Sequence, residues 1–144
     1  MPPAATAEEP EADEVVLGKL GWDLGKQLGT GHFAKVKEAT RRSDGLVCAV
    51  KIIKKPKELH KRALVAQEHS MLQRCHHPYI VKCHEAFETD TKLYLFMELC
   101  TGGELFDRIV ALGHFSEAMA QNVTMKLLGA LKFMHDQVRL APSP

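Results

Sequence analysis

The chain has 144 residues, 45% hydrophobic and 26% charged, about the size of one domain and long enough to bury a core without disulfide or metal staples. Its formal net charge of +1 hides an asymmetry: residues 1–14 hold five acids and no base, which leaves the rest at +6 (19 basic against 13 acidic residues), mild beside a dedicated nucleic-acid binder. No apolar run nears the ~20 residues that span a bilayer, the acidic start is the opposite of a secretory leader, and the four cysteines (Cys48, Cys75, Cys83, Cys100) show no C-x-x-C spacing, so they read as reduced thiols of a cytoplasmic protein.

Met1–Glu14 has three prolines, four alanines, charge of one sign and no large apolar residue, which predicts a disordered tail reaching to about residue 19. Trp22–Leu28 and Val36–Thr40 are short strand candidates around a glycine-containing turn. Arg42-Ser43-Asp44-Gly45 is a turn signal. Leu46–Ile53 is apolar on both faces, which predicts a central, buried strand. A helix is expected over Lys57–Arg74, with Leu64, Met71 and Leu72 on one stripe, ending before His77-Pro78. Glu85–Thr89 and Lys92–Leu99 flank a turn at Asp90 and read as a hairpin. Gly103–Val110 is a short helix candidate. Ser116 is placed to cap a longer helix over Glu117–His135, where Ala120, Val123, Leu127, Leu131 and Met134 recur at helical spacing. Val138–Pro144 shows no period. There is no internal repeat.

Three features carry chemistry. In Leu28-Gly-Thr-Gly-His-Phe-Ala-Lys-Val36, glycines one residue apart sit between two strands. Glycine lets backbone N–H groups come near phosphate oxygens, although a plain hairpin turn uses it as readily. No helix follows, so this is neither a dinucleotide fingerprint nor a Walker A loop. Lys51 lies among apolar neighbours in the next strand and either snorkels to water or meets an anion. Glu68 shares the stripe of Leu64 and Leu72, and either faces water at its edge or pairs with a cation, Lys51 being the candidate.

In this order the three resemble a protein kinase. The match continues through His77-Pro78, Leu-Tyr-Leu-Phe-Met-Glu-Leu and Gly-Gly-Glu-Leu-Phe-Asp-Arg-Ile, and runs from about Trp22 to Gln137. The last stretch is most similar to the calcium/calmodulin-dependent group of serine/threonine kinases. The resemblance implies an α+β fold: a small lobe with an antiparallel sheet of about five strands and one helix (20–99), followed by the hinge and first two helices of a helical large lobe (100–137). It implies ATP as ligand. Gly29, Thr30 and Gly31 would cover the phosphates, with Ala34 where the family has a third glycine. Lys51 would hold the α- and β-phosphates and pair with Glu68. Leu28, Val36 and Ala49 would pack on adenine, with Met97 as gatekeeper. The Glu98 carbonyl and the Cys100 N–H would bond the base, and Glu104 would reach the ribose. Leu28, Val36, Ala49 and Met97 would look the same as plain core residues.

The family also needs a His-Arg-Asp catalytic loop and an Asp-Phe-Gly that holds Mg²⁺. After Gln137 the sequence reads Val-Arg-Leu-Ala-Pro-Ser-Pro instead. Asp107 and Asp136 are poor substitutes by position. The expectation is therefore a truncated form (a splice product, a frameshift or an incomplete gene model) with no catalytic residue, no metal ligand and no phosphoryl transfer of its own. The alternative is a non-catalytic interaction or competitor module, self-associating through an exposed face over 117–135. Cys75, His76, His77, Cys83 and His84 cluster, but not at zinc-site spacing. The basic run from Lys51 to Arg62 reads as a solvated connection rather than a nucleic-acid patch.

Overall fold

The computed structural model describes residues 10–31, 34–56, 70 and 72–140, with side chains from Asp13 to Gln137. Five strands form one antiparallel sheet: β1 (Trp22–Thr30), β2 (Ala34–Arg41), β3 (Val47–Lys54), β4 (Cys83–Glu88) and β5 (Lys92–Glu98), in the spatial order β1-β2-β3-β5-β4. Each expected strand is present, with ends shifted by at most two residues. The helix expected over Lys57–Arg74 lies largely outside the described residues, of which Ser70 and Leu72–Arg74 are helical. Besides those residues, the helices delimited among the described residues are α1 (Pro10–Lys19), α2 (Leu105–Leu112) and α3 (Glu117–Leu140). Among the described residues no helix is long and apolar enough to cross a membrane.

The β2–β3 turn forms as its residues require. Gly45 takes a φ of 74°, its N–H donates to the Arg41 carbonyl at 2.8 Å, and Asp44 Oδ1 accepts from the Leu46 N–H at 3.1 Å. The Arg41 guanidinium grips the same carboxylate at 2.6 Å and holds the Asp44 pKa down to about 2.

β3 lies between β2 and β5, and its alternating residues serve opposite faces. Cys48, Val50 and Ile52 join Leu17, Trp22, Ala39, Tyr94 and Phe96 in one buried cluster. Trp22 stacks on Phe96 with ring centroids 4.3 Å apart, a contact worth about 0.5–1.5 kcal/mol beyond the area it buries. Burial pushes the Cys48 thiol up to about 11.

α1 closes this face of the sheet and corrects the expected tail. From Pro10 to Lys19 the chain is helical, and Leu17 is fully buried among the sheet residues. Asp13 fixes the helix in place, its carboxylate accepting from the Tyr94 hydroxyl at 2.7 Å and from Lys92 Nζ at 2.8 Å. Composition hid this because the contacts join residues about 80 positions apart.

α3 begins as expected, with Ser116 Oγ accepting from the Met119 N–H at 3.3 Å. It continues past residue 137 to Leu140, so Val138–Leu140 is helix rather than aperiodic tail. His77 docks it to the preceding loop: the ring sits 5.2 Å from Phe133, and Nδ1 accepts from the Tyr79 N–H.

Candidate functional site

The site is a face of the sheet set by register. In antiparallel strands, directly paired residues project to the same side. Val36 pairs with Lys51 and Lys51 with Leu95; Ala49 pairs with Met97. Val36, Ala49, Lys51 and Met97 therefore share the face opposite α1. Ala49 is buried, and Val36, Lys51 and Met97 are half-buried.

Lys51 has an apolar partner on each adjacent strand, Val36 on β2 and Leu95 on β5. Among the described residues no carboxylate forms an ion pair with it; Glu68, its expected partner, lies outside them. The next lysine pair shows the contrast. Lys55 is tied to the β4–β5 turn, donating to the Thr89 carbonyl at 2.5 Å and pairing with Glu88.

The glycine hairpin borders this face. Gly29 pairs with Val36, and the Gly31 N–H donates to the Ala34 carbonyl at 2.7 Å, closing the turn. His32 and Phe33 lie outside the described residues. Leu28, 41% exposed, sits where the β1 register shifts between Gln27 and Gly29. Neither Gly29 nor Gly31 has a positive φ. Among the described residues, a Cβ built on Gly29 would meet nothing within 4 Å, and one on Gly31 only the Ala34 carbonyl at 3.7 Å. The protein's own packing thus does not require glycine at either position.

β5 leaves the sheet at Glu98, which is held on both sides. Its N–H donates to the Lys82 carbonyl at 2.8 Å, and its Oε2 accepts from the Lys82 N–H at 3.3 Å. Cys100 follows, exposed. Gly103 turns the chain with a φ of 73°, and Glu104 stands at the N-cap of α2. The Glu104 carboxylate makes no cap bond; only its carbonyl is used, by the Arg108 N–H at 3.2 Å. Asp107 is exposed on α2, and Asp136 pairs with Lys132 along α3 at 2.6 Å, so both carboxylates belong to helices rather than to the sheet face.

Among the described residues no three His, Cys, Asp or Glu side chains converge as a metal site, the cluster from Cys75 to His84 included. Sequence reasoning missed Asp13, Lys92 and Tyr94. The signal was faint: a carboxylate four residues before a leucine, inside a segment that composition marks as tail.

Comparison with known proteins gives one answer. The family model described as protein kinase domain matches residues 22–139. The chain is 38% identical over 125 residues to CBL-interacting serine/threonine-protein kinase 7 of Arabidopsis thaliana, covering 85% of this chain and 29% of that protein. It is 40% identical over 114 residues to calcium/calmodulin-dependent protein kinase type 1B of Rattus norvegicus, covering 79% and 33%. Among solved structures it is similar to Rad53 residues 1–466 in complex with AMP-PNP, with a TM-score of 0.69 and 33% identity over 81% of this chain and 31% of that one. The chain thus spans about a third or less of the length of these relatives.

Proposed function

The chain belongs to the protein kinase family, and from that membership we propose that it supplies the ATP-binding part of a serine/threonine kinase, with nucleotide held on the sheet face of Val36, Ala49, Lys51 and Met97. One observation carries the reading: the register brings these residues to one face, with a lysine ammonium at its centre and a glycine hairpin at its border. Glycines that the protein's own packing does not require leave room for backbone N–H groups to approach an anion. The AMP-PNP held by the structural relative fits the same class of ligand.

In this reading Leu28, Val36 and Ala49 sandwich adenine, Met97 backs it, the Glu98 carbonyl accepts a hydrogen bond from the base and the Cys100 N–H donates one. The uncapped Glu104 carboxylate accepts from a ribose hydroxyl. Lys51 offsets the charge of the α- and β-phosphates, and Thr30 lies over them with Gly29 and Gly31. Glu68 orients Lys51. The intact family uses Mg²⁺, but the donors present do not fit it: no group of three or more His, Cys, Asp or Glu converges among the described residues, and these 144 residues contain no Asp-Phe-Gly. No metal-dependent step is assigned, and these 144 residues bind nucleotide without turning it over. Titration with ATP tests the first part, with binding lost in Lys51→Ala. Mg-ATP-dependent phosphorylation of any peptide by the purified chain would overturn the second.

A second reading, an interaction module of a cytoplasmic protein, is favoured by the helices. Phe106 and Val110 on α2 are 69% and 61% exposed, and Met125 and Leu127 on α3 are 63% and 61% exposed. So much uncovered apolar surface favours association. Sedimentation across a concentration series tests it; a monomer at all concentrations would remove self-association through 117–135.

A further inference from the structure

α1 sits on the sheet face opposite the proposed nucleotide face, and its attachment differs in kind from the sheet it covers. The sheet is complete in itself: every strand has its ladder from another strand, and none from α1. Among the described side chains α1 is held by Leu17, by Val16 packed half-buried against the same cluster, and by two polar contacts. Leu17 is its one fully buried side chain among those described, while Glu14, Val15 and Lys19 are exposed. Asp13 makes the polar lock, accepting from Lys92 Nζ at 2.8 Å and the Tyr94 hydroxyl at 2.7 Å. The lock is within reach of water, the Asp13 and Lys92 side chains being 15% and 24% exposed. Near the other end Arg42 donates to the Gly18 carbonyl at 3.2 Å. The connection to β1 runs through Gly21, whose φ of 82° only glycine adopts readily; its N–H donates to the Gly18 carbonyl at 3.2 Å and its carbonyl accepts from the Arg42 N–H at 2.8 Å, so the turn stays with the sheet and the helix opens beyond it.

We propose that α1 is a releasable strap, locked by Asp13, which opens as a unit while the five-stranded sheet stays folded. Segments held by few buried apolar contacts open locally, below the free energy of global unfolding. Opening uncovers an apolar strip formed by Trp22, Val50, Tyr94 and Phe96. It lies on the reverse of β3 and β5, the strands that carry Ala49, Lys51 and Met97 on their other side. The strap is thus a conformational device acting on the strands of the site without touching its face. It does not depend on the ATP reading.

Native-state hydrogen exchange on the full chain tests this. The strap requires that the Val16–Lys19 amides exchange faster than those of Val50, Ile52 and Phe96, by an opening that denaturant hardly promotes. In Asp13→Ala the α1 amides should exchange about tenfold faster or more, matching the loss of a charge-assisted hydrogen bond, with the β3 and β5 amides unchanged. Asp13→Asn, which keeps an acceptor oxygen but loses the charge, should fall between. Trp22 is the chain's one tryptophan, and its emission should become accessible to acrylamide in Asp13→Ala. Exchange of α1 in step with β3 and β5 in the wild-type chain would overturn the proposal. So would equal acceleration of helix and sheet in the variant.

Discussion

Replacing Gly29 by valine should separate stability from nucleotide binding. Gly29 lies in β1 opposite Val36, has no positive φ, and a Cβ there meets nothing within 4 Å. Among the described residues the folded chain therefore has room at the β-carbon. Valine also suits a strand better than glycine, by about 0.5–1 kcal/mol. At roughly 3–5 °C per kcal/mol for a domain of this size, the melting temperature should hold or rise by up to about 5 °C. A nucleotide whose phosphates approach the backbone at Gly29 meets the isopropyl group instead. Affinity should fall at least tenfold, about 1.4 kcal/mol. Thermal melts followed by Trp22 emission, beside titration with a fluorescent ATP analogue, read both quantities. A melting temperature lowered by more than about 5 °C would refute the packing argument. Undiminished affinity would refute the role given to the hairpin.

Other outcomes follow from named groups. Cys48 is buried, with its thiol pushed up to about 11, whereas Cys100 is exposed. Iodoacetamide at pH 8 should label Cys100 and leave Cys48 unmodified until the chain unfolds, as peptide mapping would show. Saturating ATP should slow the labelling of Cys100 if the proposed hydrogen bond from its N–H to adenine forms. The Asp44 carboxyl, held at about 2 by the Arg41 guanidinium, favours the folded turn. That contribution is complete above the ordinary carboxylate range, near 3.9, and is lost as pH falls through about 2. Arg41→Ala should raise the Asp44 titration toward the ordinary range in a carboxyl-detected NMR titration, the Leu46 N–H still holding it somewhat low.

The sheet was legible in the sequence because its signals are local. Val, Ile and Leu runs mark β3 and β5, and Asp44-Gly45 fixes the turn between β2 and β3. The proposed nucleotide face was legible only through order and spacing; no single stretch shows that Val36, Lys51 and Leu95 stand side by side. α1 was not legible. Val15, Val16 and Leu17 are consecutive rather than spaced by a helical turn, and prolines and alanines surround acids. What makes this segment structure is Leu17 entering a cluster built by four strands, and Asp13 reaching Tyr94. The apolar character of Leu46–Ile53 on both faces already implied a cover for each side. α1 is the cover on one of them.

The most direct test of the central claim is a calorimetric titration of the chain with ATP, beside its Lys51→Ala variant. Lys51 is half-buried, and a thermal melt of both chains shows whether the variant stays folded. The account requires saturable binding that weakens at least tenfold in the variant. Binding of equal strength in both chains would contradict it, as would no binding to the wild-type chain at millimolar ATP.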